Sequence, residues 1–236
     1  MQRAGNWIIV ADAHQNPSNL SPMFISALDM AYVKGFKFAS NGDTFQVLPH
    51  GIKKWIGSPA VTELKKYCLY RCFEVVLIEG NHDLYKSLVK LFGGCEYIKV
   101  VKSLEIPYRD TTIVIQHGHD FGPLWSWLKY GAPTFVEFMA TYFPSWWYRF
   151  SRARGWIPSQ VVAEKKYHIV VRTVISKGLK FISENGCRVL VGHTHKWSCV
   201  KEQFPYGVDY VLLSLSPLDT GCFVSVGDDI RYGSLS

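Results

Sequence analysis

The stretch CRVLVGHTH, residues 187–195, ends an apolar run with two histidines that are separated by a single threonine. The run Arg188 to Val191 predicts a buried β-strand that stops at Gly192. Side chains two positions apart on an extended chain share a face, so His193 and His195 point the same way. The pair is able to hold a metal ion, although a polar turn would use the same residues.

Similar short apolar runs recur along the chain and alternate with helical patterns. The runs predict six strands: Trp7 to Ala11, Phe36 to Ser40, Glu74 to Glu79, Thr112 to Gln116, Arg188 to Val191 and Tyr210 to Leu215. Helices are predicted over Pro22 to Tyr32, Pro59 to Leu69, Leu84 to Phe92 and, as one long amphipathic helix, Ser159 to Glu184. This alternation predicts a layered α/β or αββα domain.

The length and composition of the chain limit the number of domains, the class of protein and the type of partner. A chain of 236 residues with 48% hydrophobic content predicts one domain over residues 1–236, with room for an inserted subdomain. No apolar run is long enough for a membrane-spanning helix, no signal peptide is predicted, and the six scattered cysteines indicate reduced thiols in a cytoplasmic protein. The net charge of +7 favours an anionic partner, either a phosphorylated metabolite, a nucleic acid or an anionic lipid surface.

A polar cluster follows each of five predicted strands at its carboxyl end, where open α/β sheets bind ligands. The clusters are DAH at 12–14, NGD at 41–43, GNHD at 80–83, HGH at 117–119 and GHTH at 192–195. Each alone is typical of turns and helix caps, but together they hold six of the eight histidines, for which turns have no use. Carboxylate, amide and imidazole ligands without thiolates suit Mn, Fe, Zn or Mg, and one carboxylate between two mixed sets indicates a bridged pair of ions.

In this order the clusters resemble the motifs of the calcineurin-like metallophosphoesterases: D-x-H, G-D-x-x-D, G-N-H-[DE], H-G-[HD] and G-H-x-H. The resemblance implies a four-layer αββα sandwich with a two-metal centre at one edge. It implies ligands for the first ion (Asp12, His14 and His195), ligands for the second ion (Asn81, His117 and His193), and Asp43 as the bridge. Two divalent cations are expected, manganese first, with iron, zinc and magnesium as alternatives.

The resemblance also implies a reaction, hydrolysis of a phosphodiester or pyrophosphate by a hydroxide held between the two ions. His82 would stabilise the phosphate charge or protonate the leaving oxygen, and Asp83 would orient His82 or cap the following helix. His119 is predicted to contact the substrate, with simple packing as the alternative. Gln46 stands where the family motif has a second Asp, which predicts altered tuning of the site more than loss of activity.

The segment 123–158 is rich in aromatic residues and predicts a helical cap inserted near the metal edge. Its candidate substrate-binding residues are Trp146, Trp147, Arg149 and Arg152. Aromatic rings beside arginines suit three kinds of ligand: acyl chains next to a phosphate, a membrane surface, or nucleobases. The alternatives are that the rings form the core of a small helical subdomain and that the arginines lie on a solvated helix face.

A cap at this position is similar to that of the UDP-2,3-diacylglucosamine pyrophosphohydrolase branch of the family. That similarity implies an amphipathic phosphorylated substrate and peripheral contact with the inner membrane surface. His82 and the His-Gly-His cluster depart from the branch and favour the generic phosphodiesterase pattern of the family. The alternatives to the lipid substrate are a broad-specificity phosphodiesterase or nuclease and a phosphomonoesterase. Nucleic acid is disfavoured because basic residues outside the cap are scattered, and a non-enzymatic scaffold is disfavoured because no expected ligand position is missing.

Overall fold

The computed structural model of the protein describes residues 5–119, 174–193, 198–203, 209–214, 218 and 221–235. Within these residues the chain forms two β-sheets, whose strands are numbered along the chain. The six-stranded sheet contains β1 (Trp7–Ala11), β2 (Lys37–Asn41), β3 (Val75–Ile78), β4 (Ile98–Val101), β10 (Cys222–Val226) and β11 (Ile230–Ser234), in the order β11-β10-β1-β2-β3-β4. The five-stranded sheet contains β5 (Leu104–Tyr108), β6 (Thr111–Gln116), β7 (Arg188–Val191), β8 (Ser198–Gln203) and β9 (Asp209–Ser214), in the order β5-β6-β7-β9-β8.

Five helices precede β6: α1 (Pro22–Val33), α2 (Val47–His50), α3 (Ile52–Trp55), α4 (Pro59–Arg71) and α5 (Tyr85–Phe92). Residues 174–185 form a further helix before β7. Helices α1 and α4 each begin at a Ser-Pro pair, because proline fits the first helical position and the serine side chain caps it. The Ser21 hydroxyl accepts the N–H of Phe24 at 3.2 Å, and the Ser58 hydroxyl accepts the N–H of Val61 at 3.4 Å.

Three hydrophobic cores separate four layers and confirm the predicted αββα arrangement. Alternate residues of β1 face opposite ways: Ile8 and Val10 pack against α1, α4 and α5, whereas Ile9 packs between the two sheets. In the second sheet Ile115 faces the first sheet, and Val114 packs against the helix at 174–185. Both faces of these strands are buried, which explains their nearly continuous apolar sequences.

Parallel pairing brings the carboxyl ends of five strands to one edge. β1 pairs with β2, β2 with β3, and β6 with β7, all in parallel. The loops that carry the polar clusters therefore leave the two sheets on the same side. Asn41 ties the sheets together at this edge, because its side-chain amide donates to the carbonyl oxygen of Leu190 across the core at 3.4 Å.

All six predicted strands are present, with ends within one or two residues of the predicted ones. The predicted helix Ser159 to Glu184 is described only over 174–185, and the predicted cap at 123–158 lies outside the described residues. None of the helices in the described ranges has the length and apolar character needed to cross a membrane.

The cap of α4 gives a stability prediction. Ser58→Ala removes the acceptor of the Val61 N–H, so we expect the free energy of unfolding to fall by about 1 kcal/mol. Urea denaturation followed by circular dichroism measures the change. Ser18→Ala is the control, because the exposed Ser18 caps no helix. A Ser58→Ala protein as stable as the control would contradict the capping role.

Candidate metal centre

Four of the predicted metal ligands hold a left-handed backbone conformation. The φ angles are 50° at Asp12, 43° at His14, 47° at Asp43 and 65° at His193. Only two other non-glycine residues in the described ranges have a positive φ. This conformation is costly for residues with a Cβ, and it persists where the surrounding structure imposes it, typically at functional sites.

The ligand atoms fall into two groups that share one residue. Asp12, His14 and Asp43 form one group, and Asp43, His117 and His193 form the other. Within each group one ligand atom per residue lies within 4.8 Å of the others, a spacing that a single cation can span. Because Asp43 belongs to both groups, the arrangement fits two ions bridged by one carboxylate.

The second group gathers around the ring of His117, which is 1% exposed. Its Nε2 lies 3.3 Å from Asp43 Oδ2, 4.0 Å from Asp12 Oδ1 and 3.1 Å from Asn81 Oδ1. The structure therefore brings the amide of Asn81 to the second group. His193 lies beside it, with its ring centroid 5.1 Å from that of His117 and its backbone N–H donating to Asp12 Oδ2 at 3.0 Å.

A backbone carbonyl sets the orientation of His117. The carbonyl oxygen of Asn41 lies 3.1 Å from His117 Nδ1 and accepts its proton in the tautomer that leaves the Nε2 lone pair facing the carboxylates. Metal-binding imidazoles are usually held in this way. Sequence reasoning missed this role of Asn41, since it belongs to a backbone atom that every residue type possesses.

The charges of the buried groups depend on one another. Burial acts to raise the pKa of Asp43, but the imidazoles of His117, His82 and His14 outweigh it and hold that pKa well below its usual value. Burial opposes protonation of His117, yet the carboxylates of Asp43 and Asp12 raise the pKa of His117 to about 10. The pKa of Asp83 is raised, first by burial and then by the neighbouring charge of Asp43. The carboxylates that raise the pKa of His117 do so because they favour positive charge beside them. A divalent cation would supply positive charge at the same place.

Two glycines permit the close packing of the site. Gly42 has φ +71°, and a Cβ there would lie 2.6 Å from the Cβ of His117. A Cβ on Gly80 would overlap the backbone nitrogen and Oδ1 of Asp43 and approach Asp83 Oδ1 to 2.8 Å. Neither position has room for a side chain, so both glycines are required by the packing of the ligand loops.

His82 lies at the open side of the site. Its backbone N–H donates to Asp43 Oδ1 at 2.8 Å, its Nε2 lies 3.9 Å from Asp43 Oδ2, and its side chain is 28% exposed. The ring stands edge-on to His14, with the centroids 5.3 Å apart. His82 thus borders both the predicted metal ligands and the solvent.

The structure corrects both expectations for Asp83. Its carboxylate neither orients His82 nor caps α5, because its two oxygens accept the backbone N–H groups of Asp43 and Phe45, at 3.0 and 2.9 Å. The cap position of α5 is Leu84, and Glu79 Oε2 accepts the N–H of the first helical residue. The side chain of Asp83 turns inward, towards donors about 40 residues upstream, because those buried amides need an acceptor.

Other predicted residues lie beside the centre or outside the described ranges. The buried ring of His119 lies 5.4 Å from that of His117, and its contact with substrate stays a prediction. The backbone carbonyl oxygen of Gln46 accepts the indole N–H of Trp55 at 3.2 Å. The residues outside the described ranges are His195, Trp146, Trp147, Arg149 and Arg152.

The fold and the site together define an α/β sandwich with a candidate two-metal centre at the strand ends. No protein-family model and no curated protein matches the chain. Among solved structures, it is similar to GAP50, the anchor in the inner membrane complex of Plasmodium, with 9% identity over 99% of this chain and 85% of that chain and a TM-score of 0.51. It is also similar to Yfce, a phosphoesterase from E. coli, with 13% identity over 98% of this chain and 100% of that chain and a TM-score of 0.46. A third similar structure is a novel archaeal phosphodiesterase, with 13% identity over 98% of this chain and 99% of that chain and a TM-score of 0.45. At 9% identity, the likeness to GAP50 shows the fold alone.

Proposed function

We propose that the protein is a dinuclear metal-dependent phosphoesterase, a hydrolase of phosphodiester or pyrophosphate bonds. The observation that carries the proposal is the meeting of two ligand groups at Asp43, at the edge where the strands of both sheets end. In the proposal Asp12, His14 and His195 hold one ion, and His117, His193 and Asn81 hold the other. The oxygen and nitrogen donors suit manganese first, with iron, zinc and magnesium as alternatives.

A pair of such cations would polarise a phosphoryl oxygen and lower the pKa of a bound water. The chain supplies the remaining functions. Asp43 keeps Oδ2 facing His117 while its Oδ1 accepts the N–H of His82, so the carboxylate is held in one orientation. His82, at the open side of the centre, is suited to donate a proton to the leaving oxygen or a hydrogen bond to the phosphate.

The proposed substrate is an amphipathic phosphorylated molecule, such as a UDP-diacylglucosamine-like pyrophosphate. The support comes from sequence: the net charge of +7, and the rings and arginines of segment 123–158, which include Trp146, Trp147, Arg149 and Arg152. Peripheral contact with the inner membrane surface and a cytoplasmic location belong to the same proposal. Broad-specificity phosphodiesterase, nuclease and phosphomonoesterase activities are the alternatives.

A substrate panel with manganese tests the proposal. It compares bis-p-nitrophenyl phosphate, p-nitrophenyl phosphate, a UDP-sugar and UDP-diacylglucosamine, and it follows release of nitrophenol, phosphate and UMP separately. We expect Mn²⁺-dependent hydrolysis that a chelator stops, with UMP released from the acylated substrate in preference to the UDP-sugar. Equal cleavage of all diesters would support metal-dependent hydrolysis and contradict the proposed lipid substrate. Absence of hydrolysis of every compound would contradict the proposed phosphoesterase activity.

His82→Ala separates catalysis from metal binding. We expect kcat to fall by about 10²- to 10⁴-fold, the usual contribution of general acid catalysis, while Mn²⁺ affinity stays within a few-fold of the unaltered protein. Steady-state kinetics and isothermal titration with Mn²⁺ provide the two readouts. His50→Ala is the matched control, since that imidazole packs against Trp55 and belongs to neither ligand group. Loss of both ions in His82→Ala would make His82 a structural residue.

A further inference from the structure

We propose that Asp83 is a positioning residue that locks loop 42–45 and so fixes the shared ligand Asp43 between the two ion sites. The inference rests on the proposed function, because it assumes that Asp43 binds metal. In this role Asp83 acts on the backbone of Asp43 and not on the ring of His82. It also predicts that metal affinity depends on a residue outside both ligand groups.

The contacts of Asp83 are directed to this one loop. The residue is 0% exposed, and a carboxylate so placed is costly unless hydrogen bonds compensate for its burial. Oδ1 accepts the N–H of Asp43 at 3.0 Å, and Oδ2 accepts the N–H of Phe45 at 2.9 Å. One side chain thereby holds two amides that lie two residues apart.

The loop needs such support because its backbone is strained. Asp43 has a φ of 47°, which is costly for a residue with a Cβ, and it follows Gly42, whose φ of 71° is open to glycine without strain. Their neighbours hold the loop from the other side, where the N–H of His14 donates to the carbonyl oxygen of Asp43 at 2.8 Å and the N–H of Gln15 donates to that of Thr44 at 2.8 Å. With its amide held by Asp83 and its carbonyl held by His14, the backbone of Asp43 is fixed at both ends.

Loop 42–45 in turn accepts a hydrogen bond from the loop at 80–83, which carries Asp83. Asp43 Oδ1 accepts the N–H of His82, the residue before Asp83, at 2.8 Å. Asp83 therefore orients Asp43, and the orientation commits Oδ1 to a backbone donor and leaves Oδ2 3.3 Å from His117 Nε2. Rotation of the loop would move the shared oxygen relative to both ligand groups at once.

The asparagine variant is the sharpest test. In Asp83→Asn one oxygen still accepts an N–H, but the amide NH₂ faces the other backbone donor, so one of the two bonds is lost. We expect the dissociation constant for Mn²⁺, measured by isothermal titration on chelator-treated protein, to rise about 10- to 100-fold, as for other partners of metal ligands. The matched control is Ser58→Ala, which removes a buried side-chain acceptor of a backbone N–H in another part of the chain and should lower the melting temperature without changing Mn²⁺ affinity.

The outcomes separate this inference from the proposed function. Unchanged Mn²⁺ affinity in a folded Asp83→Asn protein would overturn the role of Asp83 and leave the phosphoesterase intact. An unaltered protein that binds no Mn²⁺ would overturn both. If the variant does not fold, amide hydrogen exchange of the unaltered, metal-free protein tests the same contacts, with slow exchange expected at residues 43 and 45. Exchange there as fast as in the exposed turn at 109–110 would overturn the inference.

Discussion

Replacing Asp43 with asparagine is expected to lower Mn²⁺-supported phosphodiester hydrolysis by about 10³-fold or more, since the proposed pair of ions would supply several kcal/mol of transition-state stabilisation. Asp43 is the one residue common to the two ligand groups, so its loss weakens both at once. The buried imidazoles that lower its pKa would also lose the negative charge that balances them. Titration with Mn²⁺ should show the accompanying loss of affinity, and kcat/KM for bis-p-nitrophenyl phosphate should show the loss of turnover.

The matched control is Asp29→Asn, the same chemical change in the pair that Asp29 forms with Arg71 and Tyr67 on the outer helices. We expect this variant to keep wild-type kcat/KM and Mn²⁺ affinity. Full activity in Asp43→Asn would contradict the shared role of Asp43, and equal losses in both variants would point to a general effect of removing a carboxylate.

Gly80→Ala is expected to abolish tight Mn²⁺ binding without removing any ligand. The added Cβ would overlap the backbone nitrogen and Oδ1 of Asp43, so loop 42–45 must move. Overpacking of this kind destabilises proteins by about 1–3 kcal/mol, and the displaced atoms here include the carboxylate that both groups share. Isothermal titration and thermal unfolding measure the two effects.

Gly5→Ala is the control for Gly80→Ala, because a Cβ on Gly5 would meet only the flexible side chain of Lys37, at 3.4 Å and beyond. It should change neither metal affinity nor stability by more than a small amount. A Gly80→Ala protein that binds Mn²⁺ as tightly as the Gly5→Ala protein would show that the geometry of loop 42–45 does not govern the site.

Among the predicted strands, β1, β2, β3 and β7 are buried over nearly their whole length. β1 and β7 have the predicted bounds because continuous apolar runs end at polar or glycine residues. β5 and β11 were missed because they are partly exposed, and β5 contains Pro107, which weakens a strand pattern and suits the edge of its sheet. The four-residue helices α2 and α3 are too short to show a helical period.

The meeting of the ligands was predictable because each follows a strand end and parallel strands bring those ends together. The contacts that orient the ligands were not. Asp83 follows His82 in sequence, which suggested a pair, whereas its partners are the amides of Asp43 and Phe45. Likewise, Asn41 acts on His117 through a carbonyl oxygen, which no sequence pattern identifies.

The most direct test of the two-ion site is the number of Mn²⁺ ions bound per chain, measured by isothermal titration and by elemental analysis after gel filtration. The geometry predicts two ions per chain in the unaltered protein and loss of tight binding at both sites in Asp43→Asn. An unaltered protein that binds fewer than two ions, or an Asp43→Asn protein that retains two, would contradict a dinuclear centre bridged by Asp43.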